Sequence, residues 1–341
     1  MIRRTFTLTT LALLLLSSVP TLALVQTRGR TSRQSQTPPA TSLLASLPES
    51  DAVALVKVNR LLSDMMPKIL ANNPAKIAEL NASIENFKTR TGLDPKSFDE
   101  VALGFRYTYP REGVTKLITA ALAKGTFNAG AMVAAGRLAA NGKYREEKYQ
   151  GKSIYVFSLD ESIRLFGVID LKINELAASP IDANTLALGD PRSIRSVIDA
   201  STGRSRVKSE LVGLASRDPN AVIGFGGNIP PQVLQNLDVS NASFAGDLSG
   251  VRQAYGSIGT TERDVELFVG AKMVNNDAAR NLSDTLEGLK QLGALFAGRL
   301  AGAKGVLAKS ALSNLKIVTQ ANELQIRTAV AQADIGPLVG R

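Results

Sequence analysis

The same order of strands and helices can be read twice along this chain of 341 residues, and this repetition limits the possible folds more than any other feature. The first series occupies residues 52–157 and the second residues 220–330. Each starts with a short apolar strand and continues in the order helix, strand, strand, helix, strand, strand. The sequence therefore predicts an α+β fold in which a module of antiparallel sheet covered by helices is duplicated.

Tight polar turns separate the paired strands within each series. They fall at residues 110–113 and 150–151 in the first series and at residues 261–263 and 321–322 in the second. Such hairpins beside amphipathic helices indicate antiparallel sheets with helices on one face. The predicted segments are a signal peptide at 1–23, a disordered basic tether at 24–43, a first module at 44–159, a bridging segment at 160–218 and a second module at 219–341.

The N-terminal residues have the composition of a secretory leader. Arg3 and Arg4 precede an apolar run, which small residues follow, and the pattern predicts cleavage between Ala23 and Leu24. The paired arginines leave a twin-arginine export route open, and the apolar stretch at residues 8–25 leaves an uncleaved anchor open. We therefore expect an exported protein, either periplasmic or extracellular.

Composition excludes several kinds of chemistry. The chain contains no Cys and no His, so thiolate nucleophiles, disulfides, Cys or His zinc sites and Ser-His-Asp arrangements are impossible. A hard cation held by carboxylates remains possible. Five arginines within residues 1–43, where no acidic residue occurs, supply half of the net charge of +10. The remainder is spread along the chain, which argues against nucleic-acid binding.

The stretch at residues 143–162 mixes both signs of charge with tyrosine before it becomes apolar. In an extended strand Glu146 and Glu147 point to opposite faces, so they cannot form a catalytic pair. Ile154 and Val156 suit a buried partner strand across the turn. We therefore predict a charged edge strand, because mixed charges protect an edge from aggregation.

Three carboxylates form the main candidate for chemistry. Glu262, Asp264 and Glu266 alternate along a predicted strand and would share one face. Such a face could bind calcium or supply an acid and a base, but a solvated strand face is the favoured interpretation because no coordinating loop adjoins it. Two Ser-x-x-Lys matches and one glycine-rich stretch at residues 224–228 lack the companion motifs that would make them specific.

Two further patterns concern surfaces. Tyr107 and Tyr109 lie beside arginines near a predicted hairpin tip, where a partner could bind or the turn could simply be exposed. A long predicted helix carries an apolar stripe consisting of Leu282, Leu286, Leu289, Leu292 and Phe296. Because the opposite face mixes acidic and basic residues, we expect this stripe to pack in the core rather than on a membrane surface.

The chain resembles a family of exported bacterial proteins of unknown function that is best represented among acidobacteria. The resemblance is carried by LASLPESDAVALVKVNRLL at 44–62, KGTFNAGAMVAAGRLAANGKY at 124–144, YQGKSIYVF at 149–157 and DANTLALGDPRSIRSVID at 182–199. It implies a location in the envelope or outside the cell and a duplicated α+β architecture. It supplies no catalytic residues.

These observations favour a non-enzymatic exported protein that binds an unknown partner or ligand of the cell envelope. We expect no catalytic residues, cofactor or metal, no nucleic-acid partner, and membrane contact only through the leader if it is uncleaved. The alternative is a carboxylate-dependent hydrolase or a calcium-binding protein that uses Glu262, Asp264 and Glu266.

Overall fold

The computed structural model describes residues 42–91, 94–111, 114–158, 162–165, 169–172, 175–235 and 242–338. The predicted signal peptide, the cleavage site between Ala23 and Leu24, and nearly all of the predicted tether lie outside these residues. None of the helices in the described ranges is long and apolar enough to cross a membrane.

The strands of the described residues are β1 (Ala52–Val56), β2 (Phe98–Arg111), β3 (Val114–Gly125), β4 (Tyr144–Tyr149), β5 (Lys152–Ser158), β6 (Ser162–Leu165), β7 (Ile169–Lys172), β8 (Glu175–Pro180), β9 (Thr185–Gly189), β10 (Ile223–Asn228), β11 (Val251–Thr260), β12 (Asp264–Met273), β13 (Lys316–Gln320) and β14 (Glu323–Ala331). Twelve of these strands form one antiparallel sheet in the order β13-β14-β12-β11-β10-β1-β2-β3-β9-β8-β5-β4, and β6 pairs with β7 separately. The predicted α+β class with an antiparallel sheet is confirmed.

The helices connect and cover these strands. They are α1 (Val58–Arg60), α2 (Met66–Ile69), α3 (Pro74–Thr91), α4 (Ala129–Ala139), α5 (Pro191–Ser201), α6 (Ser209–Ala215), α7 (Pro231–Gln235), α8 (Ala242–Leu248), α9 (Asn276–Ala297), α10 (Gly302–Ser313) and α11 (Gln332–Ile335). A π-helical turn at Leu61–Met65 joins α1 to α2, and 3-10 helices lie at Leu43–Ser46, Pro95–Ser97 and Gly336–Leu338.

The two halves of the sheet meet where β1 pairs with β10. Ala52 lies opposite Gly227 and Val56 opposite Ile223 in this antiparallel pair. Outward from it the order is β10-β11-β12-β14-β13 on one side and β1-β2-β3-β5-β4 on the other, once β8 and β9 are left out. Both halves also follow the predicted order of strands and helices along the chain.

The bridging segment contributes to the sheet of the first half. Besides β9, it contains β8, and the two strands lie between β3 and β5. β8 is not predictable from the sequence, because ELAASP is short, rich in small residues and ends in proline. Helices α5 and α6 also belong to this segment.

Helices cover both faces of the sheet, not one face as the sequence analysis expected. Consecutive strand residues point to opposite faces, yet Leu122 and Ala123 are both buried, as are Leu186 and Ala187. Leu122 and Ala187 pack in the cluster that includes α5 and α6, whereas Ala123 and Leu186 pack in the cluster that includes α4. The bridging helices therefore close the face that the module helices leave open.

The predicted edge strand is confirmed. β4 is the last strand at one side of the sheet, and the side chains of Ile154 and Val156 on its partner β5 are fully buried. Glu147 forms a salt bridge with Arg195 of α5 (2.6 Å), whereas Glu146 faces the other way and pairs with Lys148 (2.9 Å). The charged side chains of β4 thus lie where they can prevent pairing with another strand, as expected for an edge.

Glycines in β10 allow α6 to lie directly on the centre of the sheet. A Cβ at Gly224 would lie 2.1 Å from the carbonyl oxygen of Ala215, and one at Gly226 would lie 2.6 Å from Cβ of Leu214. The glycine-rich stretch therefore serves close packing between backbone and helix rather than phosphate binding.

We predict that Gly224→Ala lowers the free energy of unfolding by about 1–3 kcal/mol, because the new methyl group would clash with the backbone carbonyl of Ala215 and displace α6. The matched control is Gly213→Ala on α6 itself, where no atom lies within 4 Å of the added Cβ. It should raise stability by about 0.5–1 kcal/mol. Urea unfolding followed by circular dichroism measures both, and equal midpoints for the two variants would contradict the prediction.

Candidate functional site

Helix α9 begins as an ordinary amphipathic helix on the second half of the sheet. The side chain of Asn275 caps it by accepting a hydrogen bond from the backbone N–H of Ala278 (2.8 Å). Ala279, Leu282 and Leu286 are buried in the cluster that contains Leu324 and Ile326 of β14, among other residues. The first three turns therefore hold the helix against the sheet.

The C-terminal half of α9 reverses the usual distribution of side chains. The buried row continues through Lys290, whose exposed fraction is only 4%, and Ala297. Leu295, in contrast, is 71% exposed, and Leu292 and Phe296 are also exposed. The larger apolar side chains of this segment thus face solvent while a lysine and an alanine face the protein, which is the opposite of what amphipathic helices normally do.

The predicted core stripe is therefore correct for Leu282 and Leu286 and wrong for Leu292 and Phe296. At about 100° per residue, Lys290 and Ala297 lie within about 40° of Leu286 around the helix, so the buried row passes through them. Leu292 and Phe296 lie about 120° and about 80° from Leu286, on the outer side.

The exposed apolar side chains continue past the end of α9. Leu300 in the connection and Val306 on α10 are exposed. The carbonyl oxygen of Leu300 lies 1.9 Å from the position that a Cβ on Gly305 would occupy, so the connection rests on the first turn of α10. Ala308 and Leu312 anchor α10 in the same core cluster as α9. We call Leu292, Leu295, Phe296, Leu300 and Val306 the apolar surface.

Basic residues surround the apolar surface. No aspartate or glutamate occurs at residues 288–322, whereas that stretch contains Lys290, Arg299, Lys304, Lys309 and Lys316. Lys290 is used internally, since its Nζ lies 2.7 Å from a carboxylate oxygen of Glu287. The guanidinium of Arg299 lies 5.7 Å from the ring centroid of Phe296. In the described part of the chain, Arg299, Lys304 and Lys309 form no salt bridge, so their charges are directed at solvent.

The hairpin of β2 and β3 provides a second exposed surface. β1 pairs with β2 only as far as Phe105, and β9 pairs with β3 only from Ala120. Residues 106–111 and 114–119 therefore pair with each other alone and project beyond the sheet. The strand extends to Arg111, further than predicted, and Tyr109 is exposed as expected for a tip.

The base of this projecting hairpin is tied to the segment that precedes β1. Asp51 accepts a hydrogen bond from the backbone N–H of Tyr107 (2.8 Å), and Arg106 forms an exposed salt bridge with Glu49 (3.3 Å). Tyr107 and the neighbouring Arg106 thus have local structural roles at the base of the hairpin. A partner for this hairpin stays a prediction.

An open polar cleft of about 490 Å³ lies at the junction of β1 and the helices that follow it. It is lined by Lys57, Asn59, Arg60, Ser63, Asp64, Asp99, Glu100 and Lys124. Lys57 and Arg60 donate to the backbone carbonyls of Pro219 (2.6 Å) and Asn220 (2.8 Å). These cations therefore fix the start of the second module against the first, and both signs of charge line the rest of the cleft.

The three predicted carboxylates do not share one strand face. β12 begins at Asp264, so Glu262 lies in the preceding turn, while Asp264 and Glu266 lie on the strand. Thr261 organises that turn by accepting a hydrogen bond from the backbone N–H of Asp264 (3.0 Å). Within the described residues, no three acidic side chains lie close enough together to hold a metal ion.

We predict that calcium does not bind this strand. Replacing all three residues (Glu262→Gln, Asp264→Asn, Glu266→Gln) should leave the free energy of unfolding within about 0.5 kcal/mol of the parent, because these are surface changes. The midpoint of thermal unfolding should also be the same with calcium and with a chelator. A calcium-dependent rise in the parent that the triple variant lacks would restore the calcium-binding alternative.

Neither Ser-x-x-Lys match lies within a single helical turn. Ser205 precedes α6, which has Lys208 as its N-cap, and Ser313 ends α10, whereas Lys316 begins β13. Both matches thus span an element boundary.

Tyr255 is the buried member of a polar network that reaches the surface through Glu323 and Arg217 and that was not predicted from the sequence. Its ring is fully buried, and a Cβ on Gly270 would lie 2.1 Å from Cζ of that ring, so the ring crosses the neighbouring strand at this glycine. The phenol donates a hydrogen bond to Glu323, to which Arg217 also binds (3.0 Å). Glycine opposite tyrosine on paired strands was the available sequence signal.

Ionisation in this network favours a charged Glu323 beside a neutral phenol. Burial raises the pKa of Tyr255 far above its usual value, and the hydrogen bond to Glu323 adds to this effect. Burial alone would raise the pKa of Glu323, but bonds from Tyr255 and Gln325 and the charge of Arg217 hold that pKa below its usual value. Because Tyr255 has no exposed surface, the network supports the fold rather than a substrate.

We predict that Tyr255→Phe lowers the free energy of unfolding by about 1–2 kcal/mol near neutral pH, since Glu323 loses a donor. A lowered pKa means that ionised Glu323 stabilises the fold above its unfolded-state pKa and that this stabilisation is lost as pH falls through the folded-state pKa. In the variant the folded-state pKa of Glu323 is higher, so the loss on acidification should be smaller and should be complete at a higher pH. Urea unfolding at a series of pH values tests this.

Tyr109→Phe, which removes an exposed hydroxyl, is the matched control. It should leave the free energy of unfolding and its dependence on pH unchanged. A difference between Tyr255→Phe and the parent that stays constant from neutral to acidic pH would contradict the assigned role of Glu323.

Comparisons with known proteins provide only distant structural similarity. No protein-family model matches the chain, and no curated protein matches its sequence. Crystal form III of TP0453 is similar with a TM-score of 0.46 and 9% sequence identity, over 87% of this chain and 96% of the other. Form IV gives 0.45 at 9% identity over 87% and 96%, and form I gives 0.44 at 8% identity over 87% and 95%.

Proposed function

We propose that this chain is an exported, non-enzymatic protein of the cell envelope that binds another envelope component through the apolar surface. The observation that carries this proposal is the reversed burial at the end of α9, where Lys290 is buried while Leu295 and Phe296 face solvent. Exposed apolar patches of this kind mark interaction sites on proteins.

The energetics of α9 support a binding role for this surface. Removing Lys290 from water is unfavourable unless it is paired, and its pairing with Glu287 limits that cost. Turning the helix to bury Leu292 and Leu295 instead would gain roughly 1.5–3 kcal/mol per side chain. Packing of the small residues Ala297 and Ala308 against the core holds the observed orientation, so the apolar side chains remain available to a partner.

The proposed export rests on the leader. Arg3 and Arg4, the apolar run and the small residues before Leu24 have the order of a secretory signal. The basic tether that follows would separate the folded part from the export machinery or from a membrane anchor. Absence of His and Cys from the whole sequence supports a binding protein, since the most frequent general base and the thiol nucleophile are missing.

We predict that the protein binds envelope membranes prepared from a Gram-negative bacterium and that Leu295→Glu combined with Phe296→Glu lowers this binding at least about tenfold. Two carboxylates on the apolar surface would have to be desolvated on contact. Sedimentation of the purified full chain with the membranes, at several protein concentrations, measures the effect.

Leu138→Glu is the matched control, because Leu138 on α4 is 83% exposed and lies outside the apolar surface. It should bind like the parent. Equal binding of the parent and the double variant would remove the proposed function. Circular dichroism should show that both variants keep the fold, since all three positions are exposed.

A further inference from the structure

We propose that the partner of the apolar surface is a lipid bilayer with anionic headgroups, on which the ends of α9 and α10 lie. This inference rests on the proposed function and names the partner of the same surface. It goes beyond membrane contact through the leader, since it assigns a membrane-binding site to the folded part of the chain.

The geometry suits insertion into the interface of a bilayer. Leu292, Leu295 and Phe296 are spaced at i, i+3 and i+4, so they project from one side of α9. Leu300 and Val306 continue this apolar zone into the connection and α10. Leucine and phenylalanine on one face of a helix are typical of segments that bury their apolar side at the boundary between headgroups and acyl chains.

Charge identifies the headgroups. Arg299, Lys304 and Lys309 are exposed, and residues 288–322 contain no acidic side chain. The aliphatic stems of lysine and arginine can extend along the apolar zone while their cationic ends reach the lipid phosphates. Arg299 already illustrates this arrangement, because its guanidinium lies over the ring of Phe296. Each such cation adds to attraction by anionic lipids.

The same charges argue against a second copy of this chain as the occupant. A symmetric dimer through the apolar surface would bring Arg299, Lys304 and Lys309 of one protomer towards the same residues of the other, with no carboxylate in residues 288–322 to separate them. Like charges placed together across an interface are unfavourable. An anionic bilayer instead offers complementary charge and needs no shaped pocket for the side chains.

Only the end of the helical pair can enter the interface. The first three turns of α9 carry Asp277 and Asp284, and Glu287 follows them. These carboxylates would be repelled by anionic headgroups. The first half of α9 is acidic, whereas its second half is basic and apolar on its outer side. Only the second half can therefore enter the headgroup region of the membrane.

Flotation with protein-free vesicles tests the inference. One set contains phosphatidylglycerol mixed with phosphatidylcholine, and the other contains phosphatidylcholine alone. The full chain and a chain that begins at Leu24 are both assayed, so that the apolar leader at residues 8–25 cannot account for binding by the shorter form. No described residue is removed in that form, because the described structure begins at residue 42.

We expect the chain that begins at Leu24 to float with the phosphatidylglycerol vesicles and at least about tenfold less with phosphatidylcholine alone. Leu295→Glu with Phe296→Glu should lower binding to the anionic vesicles at least about tenfold, and Leu138→Glu should not. Replacing Arg299, Lys304 and Lys309 by glutamine should also lower it and remove most of its dependence on salt.

Failure of the shorter chain to float, or equal flotation of the parent and the double glutamate variant, would overturn the inference. Concentration-dependent dimers that the double glutamate variant abolishes would also overturn it in favour of self-association. If envelope membranes bind through the apolar surface but protein-free vesicles do not, the partner is a protein. The proposed function then stands, and the bilayer is excluded.

Discussion

The structure depends on the antiparallel contact between β1 and β10, because this is the only pairing that joins the two halves of the sheet among the described strands. Its register places Ala52 against Gly227, whose added Cβ would lie 2.5 Å from that of Ala52. The absence of side chains at Gly224 and Gly226 lets α6 rest on β10. β1 and β10 would each be an edge strand of its own module, and their pairing makes the two modules one sheet. The bridging helices cover one face of the sheet at this junction.

The helices that cover the sheet lie on different faces in its different parts. Since α5 and α6 come from the bridge, they cover the middle of the sheet and the first half, whereas α9 and α10 cover the opposite face of the second half. α9 has 22 residues, and Lys290 and Ala297 keep its last turns in contact with the protein. The length of the helix and the small residues on its inner side, rather than its hydrophobicity, therefore determine which side chains face outward.

Much of the fold follows from local patterns in the sequence. Period-two alternation located β4 and β5, and the mixed charges of β4 indicated an edge, because charged side chains are typical of strands that protect an edge from further pairing. β8 could not be found in this way, since ELAASP becomes a strand only through pairing with β5 and β9, which is a long-range effect. Coverage of both faces was missed for the same reason. Of the site, the acid-free stretch at 288–322 was readable from the sequence. The exposure of Leu292 was not, because it depends on which side of α9 packs against the sheet, and long-range contacts decide that.

The exposed surfaces at the two ends of the sheet differ in how their charged side chains are paired. At β4, Glu147 binds Arg195 and Arg145 binds Glu175, so both of these arginines have a carboxylate partner. Such pairs contribute little stability, but they compensate the charges that the edge strand presents. At α9 and α10 the opposite holds, because apolar side chains stand next to cations that have no acidic neighbour within residues 288–322. If solubility were the only requirement, paired charges and no exposed apolar patch would be favoured at both ends. The contrast is accounted for if the second end contacts a surface that supplies both the missing negative charge and an apolar environment.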